Sequence, residues 1–195
     1  MAGSERIEGV VNFRPPSTVN IHKADTETHK FHFQPPPVSF MQGIWYVTHS
    51  TLPMWKTNRN VTITYTPLEN DMQVLDDLVE YQPLTSDKHK TVKGVDTPTA
   101  DPAGGAYSWR GRGWLRIASS HWEVLGYGDQ DGGWMVTYFN KTLFTPAGID
   151  IYARRKGGLS EEMLGWIKDQ LRAVKAEDPK FAGLADGVFA IHHNW

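Results

Sequence analysis

The sequence predicts an all-β protein built on one eight-stranded, up-and-down antiparallel β-barrel, followed by a single C-terminal α-helix that packs on the barrel. Three observations support this fold class. Short runs of alternating apolar and polar residues recur from residue 42 onward, turn-forming residues separate them, and one amphipathic segment follows the last run. A chain of 195 residues with ordinary hydrophobic and charged fractions fits one barrel domain.

The first predicted strand, QGIWYVTHS at 42–50, carries the strongest local signal. Gly43 lets the backbone bend sharply, and Trp45 follows two residues later on the same face of the strand. This combination suits the closed end of a small antiparallel barrel.

The remaining strands are predicted from the same alternation. In NVTITYT, the apolar positions Val61, Ile63 and Tyr65 alternate with threonines. Regular short strands joined by tight turns are typical of a barrel or a sandwich, and eight strands in up-and-down order fit best. The other strand-length runs lie at 72–81, 89–95, 107–128, 132–140 and 148–155.

The helix is predicted to begin after Ser160, which suits an N-cap. Glu161 and Glu162 then lie at the positive end of the helix dipole. An apolar stripe can cover the barrel wall. The positions with helical spacing are Met163, Leu164, Ile167, Gln170, Leu171 and Val174.

Composition excludes several classes of protein. The formal net charge is −2 and the basic residues are scattered, so no patch would gather the phosphates of a nucleic acid. The chain has no cysteine, so it forms no disulfide or thiolate metal site. We expect a cytoplasmic protein, since the N-terminal residues lack the apolar stretch of a secretory signal and no segment approaches the ~20 apolar residues of a membrane span.

The chain divides into three parts by pattern. Residues 1–39 mix prolines with polar residues and are interpreted as an extended arm that wraps a barrel end. Residues 40–178 form the barrel and helix, and residues 179–195 form a C-terminal tail.

Taken in order over about residues 40–175, several segments resemble a lipocalin of the apolipoprotein D and bacterial Blc type. They are Gly43-x-Trp45, NVTITYTPLENDMQVLD, GWMVTYFN, IDIYARR and LSEEMLGWIKDQL. The resemblance implies an eight-stranded barrel of the calycin superfamily that holds a small, mostly apolar ligand in a cup. It also implies that Arg154 caps the Trp45 ring at the closed end, a structural role for Gly43, Trp45 and Arg154.

The chain departs from the lipocalin pattern in two respects. GDQDGGW at 128–134 stands where a Thr-Asp-Tyr type of motif is expected. The usual disulfides and signal peptide are missing, which points to a cytosolic variant.

If Trp45 faces inward, strict alternation places Val47 and His49 on the inner face as well. A cup lined with rings favours a flat aromatic or polycyclic ligand, although filling of the core is the alternative role for most of these aromatics. The ligand-binding candidates are Val47, His49, Tyr65, Tyr107, Trp109, Trp122, Trp134 and Tyr138.

The favoured function is binding or carriage of a small hydrophobic molecule, because no recognisable catalytic constellation is present. An isomerase or cyclase of natural-product biosynthesis that uses the same cup is an alternative, with His49, Tyr138 and Arg116 as its first polar candidates. For His49, a hydrogen-bonded histidine of the wall is the favoured interpretation. A further alternative is an interaction module that docks, or forms a homo-oligomer, through its terminal extensions.

No metal or cofactor is expected. His22, His29 and His32 lie close together, but their spacing matches no ligand motif. The acidic residues Asp76-Asp77 and Glu80 are predicted to be outward charges on a strand.

Overall fold

The computed structural model describes residues 12–17, 33–101, 104–143, 145–175 and 179–194. A two-residue strand, β1, precedes the barrel, and a short strand, β10, follows the helices. The strands are β1 (Asn12–Phe13), β2 (Gly43–Ser50), β3 (Asn58–Leu68), β4 (Asp71–Pro83), β5 (Lys90–Pro98), β6 (Ala106–Gly111), β7 (Ser119–Gly128), β8 (Trp134–Phe139), β9 (Gly148–Ala153) and β10 (Phe189–Ala190). The helices are α1 (Val38–Met41), α2 (Glu161–Lys175) and α3 (Pro179–Asp186).

Strands β2 to β9 form a closed barrel. Each strand pairs antiparallel with the next, and β9 returns to pair with β2. The predicted eight-stranded up-and-down barrel with a helix after its last strand is therefore confirmed. The structure adds the short helix α3, which lies within the predicted tail.

The barrel has a closed end and an open end. At the closed end, α1 lies ahead of β2, and the Trp45 indole nitrogen donates to the carbonyl of Met41 at 2.8 Å. Arg154 covers the outer side of this ring and donates to the carbonyls of Ile44 and Gln42, each at 2.8 Å. Arg154 and Trp45 thus lie together at the closed end, where Gly43 begins β2. At the open end lie the loops 51–57, 84–89 and 112–118, together with residues 140–143 and 145–147.

Helix α2 covers the outer faces of β8 and β9. The Ser160 hydroxyl accepts a hydrogen bond from the Met163 N–H at 3.2 Å, as the predicted N-cap requires. The stripe residues Met163, Ile167 and Leu171 are buried and belong to an apolar cluster outside the barrel interior. The helices and the outer faces of β8 and β9 therefore share a hydrophobic core of their own, separate from the one inside the barrel.

The C-terminal tail forms part of the barrel wall. Strands β2 and β3 pair only over Gly43–Tyr46, and beyond this point β10 pairs with β2. The N–H of Ile191 donates to the carbonyl of Thr48 at 2.9 Å, and Ile191 packs among the residues of the barrel interior. The tail thus fills a gap between β2 and β3.

Asn60 ties the other side of the tail to β3. Its backbone has a φ of 54°, in the left-handed region that asparagine tolerates. The N–H of Asn60 donates to the His192 carbonyl at 3.0 Å, and its side-chain oxygen accepts from the Asn194 N–H at 2.9 Å. Both edges of the tail are therefore hydrogen-bonded.

The described residues of the N-terminal segment pack against the barrel. Strand β1 pairs with β7. Arg14 is buried and forms ion pairs with Asp101 at 3.1 Å and with Glu123 at 3.0 Å. Its guanidinium carbon lies 4.6 Å from the centre of the Phe33 ring. These contacts fix the arm near the closed end.

Candidate ligand cavity

A cavity of about 240 Å³ lies inside the open half of the barrel. Its mouth lies among Leu52, Met54, Thr142 and Thr145 of the open-end loops and the start of β7, and most of its lining is apolar. The lining residues are Leu52, Met54, Trp55, Ile63, Tyr65, Asp77, Val79, Trp109, Ala118, Ser119, Ser120, Trp122, Phe139, Thr142, Thr145 and Asp150.

Stacked aromatic rings form one wall of the cavity. The Trp122 ring lies 4.7 Å from Tyr107 and 5.8 Å from Tyr65, with interplanar angles of 21° and 17°. Phe139 stacks on the same indole at 6.2 Å. Inward positions of β3, β6, β7 and β8 thus supply a set of stacked rings, of which Tyr65, Trp122 and Phe139 line the cavity, where they can contact an aromatic ligand.

Gly94 makes room for a further ring. A Cβ atom at this position would lie 2.1 Å from the indole nitrogen of Trp109, so the ring lies directly against the backbone of β5. Only glycine permits this approach. The indole consequently reaches Asp77 on β4, and its hydrogen bond acts to lower the pKa of that carboxyl.

Three carboxyl groups point into this apolar interior. Asp77, Asp96 and Asp150 are each at least nine-tenths buried. Asp96 accepts a hydrogen bond from the Trp122 indole at 2.7 Å, and Asp150 accepts one from the Ser50 hydroxyl. With two buried tyrosines they form a set that we call the polar belt: Asp77, Asp96, Asp150, Tyr65 and Tyr152.

Burial controls the protonation of the polar belt. Loss of solvation raises the pKa of Asp96 and of Asp150 to about 7, and it raises that of Asp77 well above its ordinary value, helped by the nearby Asp96. Burial likewise raises the pKa of Tyr65, with further contributions from Tyr152 and the acids. Near neutral pH the three aspartates of the belt are therefore protonated to a much greater extent than the same side chains in water.

Comparisons with known proteins place this barrel among solved structures. No family model matches the chain, and no curated protein matches its sequence. The siderocalin Ex-FABP, described as functioning through dual ligand specificities, matches with a TM-score of 0.56 and 13% identity, covering 79% of this chain and 94% of the siderocalin. Apocrustacyanin C2 matches with a TM-score of 0.59 at 12% identity over 97% of this chain and 94% of that one. Apocrustacyanin C1 gives a TM-score of 0.60 at 12% identity, with coverages of 95% and 92%.

The barrel has the lipocalin fold. The likeness at this level of identity concerns the fold alone, so the residues of the cavity must be judged from their own geometry.

Five of the predicted ligand-binding residues lie inside the lipocalin barrel. Tyr65, Trp109 and Trp122 line the cavity, while Val47 and Tyr107 pack in the interior cluster next to it. Strict alternation was sufficient to place these side chains, and in β2 the irregularity comes only after Val47. Their role in binding stays a prediction.

The predicted inward orientation of His49 is wrong. The pairing of β2 with β9 shifts by one residue between Val47 and His49, and this bulge inverts the alternation. Ser50 therefore points inward to Asp150, whereas His49 pairs with Ile151 on the outer face. Burial, with Lys168 and His193 nearby, lowers the pKa of His49 to about 4.

Three other candidates also lie away from the cavity. The ring of Trp134 packs on Trp166 of α2 at 5.6 Å, and that of Tyr138 lies 6.1 Å from Phe181 of α3. Both faces of β8 are apolar because helices cover its outside, so alternation could not decide which face was the inner one. Arg116 lies in the exposed 112–118 loop, where its carbonyl accepts a hydrogen bond from Arg110 at 2.9 Å.

The expected outward orientation of the acidic residues is wrong for Asp77. Asp76 does face outward and pairs with Arg112 at 3.0 Å, but the next residue faces the cavity. Adjacent strand residues point to opposite faces, so one of the two acids had to be inside. That alternation was the signal for Asp77. Asp150 had no such signal, because its apolar neighbours Ile149 and Ile151 lie on the outer face, which α2 covers.

The histidine cluster gives no metal site that can be described. His22, His29 and His32 lie outside the described residues. Within the part of the chain that the structure describes, no three His, Cys, Asp or Glu side chains are grouped to hold a metal ion. In the same part, neither α2 nor any other helix has the length and hydrophobicity to cross a membrane.

Proposed function

We propose that this lipocalin barrel binds a small, mostly apolar aromatic molecule in its cavity. The observation that carries the proposal is the stacked wall of Tyr65, Trp122 and Phe139, which lines a cavity with an open mouth. Such concave apolar sites with a few polar groups are typical of small-molecule binding.

The size of the cavity limits the ligand. Its volume of about 240 Å³ lies below the roughly 300–1,000 Å³ of pockets that hold drug-sized ligands, so we infer a ligand of one or two rings. Burial of ~200 Å² of apolar ligand surface at ~25 cal/mol per Å² provides about 5 kcal/mol before the costs of association. Binding of an apolar probe no tighter than the submillimolar range is expected.

A matched pair of substitutions tests the site. Ser120 lines the cavity, whereas Ser108, on the neighbouring strand β6, lies between the inward residues Tyr107 and Trp109 and so faces outward. Propylbenzene is titrated into the protein and followed by NMR chemical shifts. We expect Ser120→Phe to abolish the saturable shifts and Ser108→Phe to preserve them. Equal binding by both variants, or no binding by the unaltered protein, would refute the proposal.

Mass spectrometry identifies the natural ligand class. Protein purified gently from its own source is measured under native conditions and again after denaturation. We expect a co-purifying aromatic compound to appear only in the native mass, and to be absent from the Ser120→Phe variant.

An enzymatic use of the same cup is the second candidate, favoured by the carboxyl of Asp150 in the cavity wall. A group whose pKa lies at about 7 is suited to general acid–base catalysis near neutral pH. Incubation of the co-purified compound with the protein and with Asp150→Asn tests it. Isomerised or cyclised product that forms only with the unaltered protein would support catalysis. If the compound stays unchanged, the enzymatic candidate is refuted and carriage of the ligand is the remaining function.

The finer resemblance to the apolipoprotein D and Blc type, and the cytoplasmic location, belong to this proposal as well. They are supported by the five lipocalin-like segments between residues 40 and 175 and by the lack of cysteine. Fractionation of the source cells tests the location.

A further inference from the structure

The carboxyl group of Asp77 faces the cavity with an unused hydrogen-bonding atom. The residue is 6% exposed and lines the cavity, and among the described residues its Oδ1 atom has no hydrogen-bond partner. Gly94 lies opposite Asp77 on β5, and Asp96 follows it two residues later on the same face. Asp96 is fully buried, and among the described residues its Oδ2 atom also has no hydrogen-bond partner. Buried polar atoms without partners are rare and costly, so each requires an explanation.

Asp150 adds a second carboxyl to the cavity from another side. It lies on β9, three strands from β4 around the barrel, and lines the same cavity as Asp77. Among the described residues, no lysine, arginine or histidine lines this cavity. The cavity therefore has two acids and, within that part of the chain, no protein cation to balance them.

From this arrangement we propose that the ligand is a small aromatic amine, whose ring stacks on the Trp122 wall and whose ammonium group pairs with Asp77 and Asp150. This inference rests on the proposed function and names the chemical class of its ligand. A primary ammonium has three N–H donors, which can bind the unpartnered Oδ1 atom of Asp77 and the carboxyl of Asp150, which already accepts from Ser50. Charge-assisted hydrogen bonds of this kind are strong where water is excluded. A nearby aromatic face adds a cation–π contribution.

The arrangement also predicts the movement of a proton. Burial raises the pKa of Asp150 to about 7, and burial with the neighbouring acids raises that of Asp77 well above its ordinary value, so the ligand-free cavity retains carboxyl protons near pH 7. An arriving ammonium favours the carboxylate, and the acid proton leaves to the buffer while the ammonium keeps its own. The titratable groups that face Asp77 across the interior or adjoin it on β4 are Asp76, Tyr65, Asp96, Tyr107, Asp150 and Tyr152.

Three matched probes test the inference by calorimetry. These are 2-phenylethylamine, its neutral isostere propylbenzene and the anionic 3-phenylpropionate. We expect the amine to bind at least about tenfold more tightly than propylbenzene, and the anion to bind more weakly than both. The heat of amine binding should differ between Tris and phosphate buffers at pH 7 because a proton is released, and that of propylbenzene should not.

Variants assign the effect to the carboxyls. Asp77→Asn and Asp150→Asn should each weaken the amine about tenfold and leave propylbenzene unchanged. Asp76→Asn removes the same charge from the outer face of β4 and should change neither. Thermal unfolding of each variant confirms that it is folded.

The outcomes separate the two proposals. Equal affinity for amine and propylbenzene, or tighter binding of 3-phenylpropionate, would overturn the amine inference while the apolar cavity site stands. Amine binding that Asp77→Asn and Asp150→Asn leave intact would also overturn it. Failure of all three probes to bind would overturn both proposals.

Discussion

The guanidinium carbon of Arg154 lies 3.5 Å from the centre of the Trp45 ring. The same group donates to the carbonyls of Phe40, Gln42 and Ile44, so one side chain joins the end of β9 to α1 and β2. Partial burial lowers the pKa of Arg154 to about 10, which still leaves it charged at neutral pH. The closed end of the barrel is therefore fastened by a cation on an aromatic face.

Arg154→Ala should lower the free energy of unfolding by about 2–3 kcal/mol, because it removes the cation–π contact and leaves carbonyl groups without a donor. Urea denaturation measures the change. Arg155→Ala is the control, since Arg155 is half exposed and its ion pair with Asp131 should contribute at most about 1 kcal/mol. Equal losses for the two variants would contradict the fastening role.

Gly94→Ala should deform the cavity wall. The new methyl group would lie within 2.3 Å of two atoms of the Trp109 indole, so the ring must move, at a cost of about 1–3 kcal/mol. We expect lower stability and weaker propylbenzene binding. Gly165→Ala in α2 is the matched control. Apart from its chain neighbours and the backbone of its own helix, no atom of the described residues lies within 4 Å of the position that the new Cβ would take, and helix propensity should stabilise the variant by about 0.5–1 kcal/mol. A Gly94→Ala protein with unchanged binding would show that Trp109 does not shape the site.

Ile191→Ala should destabilise the barrel although the residue lies in the C-terminal tail. The side chain is 5% exposed and packs in the barrel interior, and truncations of this kind cost about 2–4 kcal/mol. His192→Ala, at an exposed neighbouring position, should change the free energy of unfolding by less than about 0.5 kcal/mol. Hydrogen exchange should also become faster at the Asn60 amide in Ile191→Ala. Similar stability of the two variants would mean that the tail is only loosely attached.

Asp150 should make stability depend on pH. Its pKa of about 7 in the fold exceeds the ordinary value of 3.8, so the folded state binds more protons between these values and stability falls as the pH rises through this window. Asp150→Asn cannot ionise, and we expect its advantage over the unaltered protein to be small at pH 4.5 and to exceed about 1 kcal/mol at pH 8. Denaturation curves at the two pH values measure the difference. An advantage that is the same at both would refute the raised pKa.

His49 should have the opposite dependence and no effect on the ligand. Its pKa in the fold, about 4, lies below the ordinary 6.5, so its contribution to stability is present above pH 6.5 and is lost as the pH falls toward 4. The difference in free energy of unfolding between His49→Gln and the unaltered protein should therefore favour the variant more at pH 5 than at pH 7.5. Its affinity for propylbenzene should be unchanged, because the residue lies on the outer face. Loss of binding in this variant would restore His49 as a site residue.

The sequence was sufficient where strands are regular and insufficient where they are interrupted. Alternation and the Gly43–Trp45 pair predicted the barrel, its closed end and the inward aromatics. The sequence pattern could not reveal the bulge that turns His49 outward, because one extra residue in a strand does not change the composition in a recognisable way. Apolar residues on both faces of β8 concealed the orientation of Trp134 and Tyr138. For Asp77, charge favours an outward position, and only the alternation of the strand indicates the inward one.

The tail between β2 and β3 also bears on how the chain folds. The His193 ring is hydrogen-bonded to the carbonyl of Val47 across a separation of 146 residues in sequence. The junction of the tail with β2 and β3, which we call the seam, therefore depends on some of the most distant contacts in the chain. Such contacts require closure of a very large loop and are expected to form late. Until they form, the part of β2 beyond Tyr46 presents unpaired backbone groups that can pair with another molecule. The seam is therefore where slow folding and aggregation of this protein should begin.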